Sequence, residues 1–216
     1  MNTCKVFIEN KNMQKLKESM RQSILDAAIE EFSENGYKNA SLRKIAQRSN
    51  ITVGNIYCYY KNKEELYHAV IHPVLEEIEE AILNSTNQQV DWNFDEKSFL
   101  KKDTKLEIDF KSFSNKLIEI KKKYSKQMEI IMQEDKYRGI FKKWLASVLY
   151  VYFVQKNSKQ SPLYIKIISN IASVTLIDAV IEVFQYHKEC SDLNMDESDI
   201  VYSCFKAVMQ TEESKL

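Results

Sequence analysis

The chain has 216 residues, 44% of them hydrophobic and 29% charged, proportions that argue against a disordered or membrane-embedded protein. With 3 Gly and 2 Pro it lacks the turn residues a β-rich fold needs, so an all-α fold is expected. Lys plus Arg (31) balances Asp plus Glu (31), so only the distribution of charge can point to a partner.

Residues 1–18 are broken by Lys5, Glu9, Lys11, Lys15 and Lys17, which leaves no apolar region for a signal peptide. They read as a flexible lysine-bearing arm, an early extension of the first helix, or an upstream start-site artefact. Ser19 with Gln22 three residues on is a capping-box pattern, and Leu25, Ala28, Ile29 and Phe32 then recur at helical spacing. Gly36 is placed to end this helix in a left-handed conformation, with Tyr37 folding back on its last turn.

A second, shorter helix starts from Ser41 and shows Leu42, Ile45 and Ala46 on one face, ending at Ser49 and Asn50. Thr52 caps a third helix whose inner face is Ile56 and Tyr60. The short turn between the two is helix-turn-helix spacing. The fourth helix opens on Asn62 and Glu65, another capping box, and carries Leu66, Val70, Val74, Ile78 and Ile82. Pro73 predicts a kink or break within it.

Residues 84–104 are polar and weakly periodic, so a boundary between two halves is expected there. Helical spacing returns at Leu106, Phe110, Phe113, Leu117 and Ile120, then around Met128 to Met132 and over residues 139–155. Ser161 and Pro162 mark the start of a long helix reaching about His187, and Asp196 opens the last one. The most apolar stretches, 145–154 and 171–184, are too short to span a bilayer or are interrupted by Asp178 and Glu182, so no membrane partner is expected. The cysteines Cys4, Cys58, Cys190 and Cys204 have no C-x-x-C spacing and fit a reducing cytoplasm.

Between Gly36 and Lys63 there is no acidic residue, while Lys38, Arg43, Lys44, Arg48, Lys61 and Lys63 are basic. In a chain of zero net charge that window is the outlier. It is either a solvated basic face or the surface on which a helix-turn-helix meets phosphates.

Residues 24–66 decide between these readings. Ile24 to Phe32, then Gly36-Tyr37, the Ile45-Ala46 pair, Ile51 to Tyr57, and Tyr59-Tyr60-Lys61-Asn62-Lys63-Glu64-Glu65-Leu66 resemble, in order and without gaps, the N-terminal domain of the TetR/AcrR family. The resemblance implies a helix-turn-helix DNA-binding domain at 19–66, after an N-terminal extension at 1–18. It also implies a helical ligand-binding and dimerisation domain at 67–216. By the same match Tyr57, Tyr59 and Lys63 are expected at phosphates, and Thr52, Val53, Gly54, Asn55 and Cys58 at the major groove, with Ser41, Arg43 and Lys44 of the second helix alongside. Gly54 has a reason of its own, since a missing side chain lets backbone approach a duplex. Asn55 can bond an adenine edge and Arg43 a guanine edge. Asn50 stands where the family often has glycine, Lys44 where it often has an acid, and Tyr59 where it often has histidine.

In the second half, the helix from Pro162 is apolar nearly all round between Ile171 and Phe184 and must be covered on more than one side. Burial within its own subunit would do that; the resemblance implies instead a homodimer through the helix 162–187 and the C-terminal helix. Phe110, Phe113, Trp144 and Tyr152, with Asp178 as a polar contact, are candidates to line an effector pocket. The competing readings are an ordinary aromatic core and a solvated polar stripe. His68 and His72 are four apart but lack a third ligand, and His187 with Cys190 is an equally thin set, so no metal and no cofactor are expected. No phosphate-cradling loop, nucleophile elbow or carboxylate pair supports an enzyme. The function expected is a transcriptional repressor that binds a palindromic double-stranded DNA operator as a dimer and is released by a small molecule. A structural or protein-interacting DNA-binding factor without an effector is the alternative.

Overall fold

The computed structural model describes residues 3–86, 108–156 and 159–213, with side chains from residue 14 onward except 187, 188 and 211–213. Beyond Thr86 the polar stretch predicted at 84–104 lies outside the described residues, as do Leu106 and the side chains of Cys4 and His187. Every regular element among the described residues is a helix: α1 Thr3–Asn39, α2 Leu42–Arg48, α3 Val53–Tyr57, α4 Lys63–Thr86, α5 Phe110–Lys123, α6 Ser125–Gln133, α7 Asp135–Lys156, α8 Pro162–Gln185, α9 His187–Asp192 and α10 Glu197–Glu213.

Two compact units divide the chain. One comprises residues 1–73 and 126–133; the other comprises 74–125 and 134–216. The division therefore falls inside α4, between Pro73 and Val74, and gives most of α6 to the first unit.

Three expectations about the first unit change. Ser19 does not begin a helix: α1 is already helical from Thr3, and the Ser19 hydroxyl donates back to the Leu16 carbonyl at 2.9 Å. Residues 3–18 contain neither Gly nor Pro, so nothing stops the helix from propagating upstream. Gly36 has the expected positive φ of 68°, but its ψ of 168° lies in a region essentially reserved for glycine, and helical turns resume after it. Pro73 does not break α4. The proline is exposed, so the carbonyl its missing N–H would have bonded can be hydrated.

Other local signals act as written. Asn50 adopts a left-handed φ of 56° in the turn after α2. At α4, the Asn62 side chain accepts from the Glu65 N–H at 2.8 Å, while the Glu65 carboxylate accepts from the Lys61 N–H at 2.7 Å. The core of this unit gathers Ile24, Ala28 and Phe32 of α1, Ile45 and Ala46 of α2, Ile56 of α3, and Leu66, Tyr67, Val70 and Ile71 of α4, all buried. Tyr67 packs edge-on against Phe32 and Tyr37, at 5.2 and 4.8 Å between ring centres. From α6, Lys126 pairs with Glu30 and Glu129 accepts from the Ser33 hydroxyl.

The second unit is a bundle in which α8 packs along α7 and against α10, and α10 against α5. The Ser161 side chain accepts from the Tyr164 N–H at 3.1 Å with Pro162 in the first turn, as its sequence signal predicts. α8 ends at Gln185, short of His187, and a separate α9 follows. Because it starts at Pro162, its 24 residues are long and apolar enough to cross a membrane by length and composition alone. A buried Lys121–Glu197 ion pair, 3.0 Å long, joins α5 to α10, with the Lys121 ammonium over the Phe184 ring.

Candidate nucleic-acid interface

The helix-turn-helix is held from beneath by a residue that periodicity alone would have made apolar. Glu31 lies seven residues after Ile24, on the buried stripe of α1, and is fully buried. One of its carboxylate oxygens accepts the Ser41 N–H at 3.0 Å, the first amide before α2. Lys44 reaches to 4.0 Å and Arg48 to 3.7 Å of the same carboxylate. Ser41 itself makes no side-chain cap; what Glu31 satisfies is the backbone N–H of Ser41, not an amide within the first turn of α2. An acid at a core register position above a basic short helix is the sequence signal for this arrangement.

Arg48 also engages both carboxylate oxygens of Glu34. That pairing draws the Glu34 carboxyl below, and the Arg48 guanidinium above, their ordinary pKa values. Two cations of the basic window are thus engaged from within the head, Arg48 bidentately and Lys44 at its margin. Arg43 remains exposed.

On α3, Thr52 is the cap: its side chain accepts the Asn55 N–H at 3.2 Å. One turn of helix then places Thr52, Gly54, Asn55, Tyr57 and Cys58 in solvent while Ile56 and Tyr60 face inward, with Val53 and Tyr59 half-buried. The Cys58 thiol donates to the Gly54 carbonyl. A Cβ on Gly54 would meet the Thr52 hydroxyl oxygen at 3.7 Å, an ordinary contact, so the head itself does not demand glycine there. Burial pushes the Tyr60 phenol up, and the neighbouring Arg21 guanidinium opposes that shift.

Lys63 does two structural tasks. Its ammonium donates to the Lys38 carbonyl at 3.2 Å and the Ala40 carbonyl at 2.9 Å, and lies 4.8 Å from the centre of the Tyr37 ring. Of the residues expected at DNA, Arg43, Lys44, Thr52, Gly54, Asn55, Tyr57 and Cys58 are exposed and Ser41, Val53, Tyr59 and Lys63 half-buried, with Ser41, Lys44 and Lys63 also tied inward. Sequence reading did not single out Glu31, Glu34 or Arg21.

In the second unit the four aromatic candidates meet. Phe110 stacks on Phe205 at 4.9 Å and approaches Tyr152 at 6.3 Å, and Phe113 lies 6.1 Å from Phe205 and 6.4 Å from Trp144. The Trp144 indole N–H is buried and has no hydrogen-bond partner among the described residues. Asp178 is not among them: it pairs with Lys142 at 2.9 Å, half exposed, on a polar cleft shared with Asp135, Arg138 and Glu182. Among the described residues no three His, Cys, Asp or Glu side chains are grouped to hold a metal, and His68 lies 3.9 Å from Glu64.

Residues 24–70 match the family profile described as bacterial regulatory proteins, tetR family. The chain is similar to the fatty acid metabolism regulator protein of Bacillus subtilis, 42% identical over 52 residues that make up 24% of this chain and 27% of that one. The HTH-type transcriptional regulator BetI of Escherichia coli is 31% identical over 88 residues, 35% of this chain and 45% of its own. The chain thus spans less than half the length of these curated relatives. Among solved structures, a TetR-like transcriptional regulator from Rhodococcus sp. RHA1 matches with a TM-score of 0.53 and 19% identity, over 86% of this chain and 92% of that one. SmeT, the repressor of the Stenotrophomonas maltophilia multidrug efflux pump SmeDEF, matches with a TM-score of 0.52 and 19% identity, over 88% and 89%. These likenesses establish a shared all-helical fold with an N-terminal helix-turn-helix.

Proposed function

We propose that this chain, whose residues 24–70 match the tetR family of bacterial regulatory proteins, is a transcriptional repressor that binds a near-palindromic operator as a dimer and is released by a small molecule. The observation that carries the reading is the outward face of α3: Thr52, Gly54, Asn55, Tyr57 and Cys58 are exposed on a helix anchored by Ile56 and Tyr60. Side chains of that size on one turn of helix fit a major groove, with Arg43 and Lys44 of α2 beside them. Tyr57, Tyr59 and Lys63 are assigned to phosphates. Such a protein works where the chromosome is, in the cytoplasm, and has no catalytic role.

One recognition helix reads a few base pairs, so a pair is needed for a site of useful length. The support for a pair is on α8, where Leu163, Ile167, Ile171 and Val174 recur at steps of four, four and three and are 44–68% exposed. A second copy of α8 and α10 would cover that stripe. The effector is assigned to the second unit, near Phe110, Phe113, Trp144 and Tyr152. The relatives share the head, so their effectors do not carry over to this chain.

Coupling would run through the segments at which the chain passes between units, α4 at Pro73 and α6. α6 is tied to α1 by Lys126–Glu30 and Glu129–Ser33. Selection of bound duplexes from a random library by the full-length protein tests the reading, followed by a small-molecule screen for release. Enrichment of a two-fold-symmetric sequence is the expected result; no enrichment would refute it.

A further inference from the structure

One buried donor in the second unit has no structural task. Trp144 of α7 is 4% exposed, yet its indole N–H has no hydrogen-bond partner among the described residues. Burial of an unanswered N–H opposes folding. Elsewhere in this unit the buried hydroxyls of Ser114, Ser169 and Ser173 donate to carbonyls of their own helices, at 2.7, 2.8 and 2.8 Å. A hydroxyl next to Cβ reaches the preceding turn. An indole N–H, carried outward on a rigid double ring, needs an acceptor from somewhere else.

The ring that carries this donor belongs to an aromatic cluster built by α5, α7 and α10. Phe113 lies 6.4 Å from Trp144 and 6.1 Å from Phe205, on which Phe110 stacks, and Tyr152 lies 6.3 Å from Phe110. Trp144 and Phe205 are buried, but Phe110, Phe113 and Tyr152 are only half-buried. Aromatic faces that the core leaves partly uncovered are surfaces on which a flat apolar molecule can stack. Two cations of α5 are already neutralised by α10: Lys111 pairs with Asp199, and the buried Lys121 pairs with Glu197 at 3.0 Å. Lys156 lies 5.9 Å from the centre of the Tyr152 ring, but it is exposed, where water and salt screen its charge.

We propose that Trp144 donates its indole N–H to the effector, and that the effector is an uncharged aromatic molecule with a carbonyl-type acceptor, stacked among Phe110, Phe113 and Tyr152. The proposal rests on the reading of the second unit as the effector domain and names the chemistry that domain selects. A carboxylate entering the cluster would leave water without a buried cation free to meet it, since Lys121 is held by Glu197. A plain hydrocarbon would leave the Trp144 N–H unanswered.

Probes of one shape separate these chemistries: 2-acetylnaphthalene, neutral with an acceptor; 2-isopropenylnaphthalene, in which a methylene replaces the oxygen; and 2-naphthoate, which is charged. Each is titrated into the full-length protein without DNA, and the indole N–H signals are followed by nitrogen-15 NMR. The chain has 2 tryptophans, so a Trp92→Phe variant identifies the Trp144 signal. The ketone is expected to bind roughly tenfold more tightly than either of the other probes and to move the Trp144 signal downfield. Trp144→Phe, which keeps an aromatic ring and removes the donor, loses that preference while its affinity for the hydrocarbon is unchanged. Equal affinity for ketone and hydrocarbon, tighter binding of 2-naphthoate, a Trp144 signal that does not respond, or no binding at all overturns the proposal. Release of the protein from its selected duplex separates the two readings. A compound that releases wild type and Trp144→Phe with equal potency overturns the Trp144 contact and leaves the effector reading intact, whereas a library in which nothing releases the protein overturns both.

Discussion

The ammonium of Lys63 lies 2.9 Å from the carbonyl oxygen of Ala40. This bond ties the start of α4 to the turn that leads into α2, and the Lys38 carbonyl takes a second N–H of the same group. The third N–H can face a phosphate. Lys63→Ala is therefore expected to have two effects: a loss of about 1.5 kcal/mol in urea unfolding, from charge-assisted bonds to two carbonyls, and a salt slope shallower by about one unit per subunit. A stability loss with an unchanged slope would confine Lys63 to holding the turn.

Thr52 and Asn55 separate folding from reading. The Thr52 side chain caps α3 through the Asn55 amide, so Thr52→Ala should lower stability by about 1 kcal/mol. The Asn55 side chain is exposed, and Asn55→Ala should leave thermal unfolding unchanged while costing about 1–3 kcal/mol of discrimination at one base pair. Competition binding with single-base operator variants distinguishes the two. An Asn55→Ala protein with unaltered base preference would remove Asn55 from the reading face.

Glu31 shows where sequence stops being legible. Helix spacing, the Thr52 and Asn62 caps, the left-handed Asn50 and the inward Ile56 and Tyr60 were all readable, because each depends on neighbours within a few residues. Glu31 was not, because its meaning comes from Ser41, Lys44 and Arg48, brought beneath it by the turn at Gly36. The same holds for Lys63, whose carbonyl partners are more than twenty residues away. In the second unit Phe110, Phe113, Trp144 and Tyr152 do converge. Sequence spacing could not decide whether Asp178 joined them, and Lys142 on the neighbouring helix holds it elsewhere.

Removal of the buried Glu31 carboxylate leaves the half-buried Ser41 amide without that acceptor. Glu31→Ala should cost about 2 kcal/mol or more, and Glu31→Gln, which keeps a carbonyl oxygen, should cost less. Glu31→Gln with a loss equal to that of Glu31→Ala, measured by urea unfolding, would show that the charge beside Lys44 and Arg48 matters more than the amide bond.

Asp196 gives α10 a pH dependence. Its carboxylate accepts from the Ser198 hydroxyl and from the Ser198 N–H, both at 2.8 Å, and these bonds hold its pKa below the ordinary aspartate range. A carboxyl with a lowered folded-state pKa contributes stability above its unfolded value, near ~3.9, and loses it as pH falls through the folded value. The stability gap between wild type and Asp196→Ala, about 1 kcal/mol at neutral pH, should therefore shrink below about pH 4. Asp196→Asn, which caps without titrating, should keep its gap over Asp196→Ala there. A wild-type advantage that is constant to pH 2.5, on the order of a unit below the free carboxyl, would contradict the assignment.

The exposed stripe of α8 makes the dimer testable apart from DNA. Ile171 is 62% exposed, Ile167 50% and Leu163 68%, on a helix whose opposite side buries Ile165, Ala172, Leu176 and Val180 within its own unit. Full burial of side chains of this size is worth roughly 1.5–3 kcal/mol each. Replacing Ile171 by Lys removes one such group and puts a charge, and its copy across a two-fold axis, where the other α8 would lie. Sedimentation should show a dimer for the wild type and, for Ile171→Lys, a dissociation constant raised by at least about a hundredfold, the equivalent of ~2.7 kcal/mol. Unfolding of each subunit should change little, because the residue touches solvent in the isolated chain. Operator affinity at low protein concentration should fall with the dimer population and recover as concentration rises. A variant that remains dimeric would place the subunit contact on some other surface than the α8 stripe, and one that dissociates without weakening operator binding would mean that a single head suffices to hold the site.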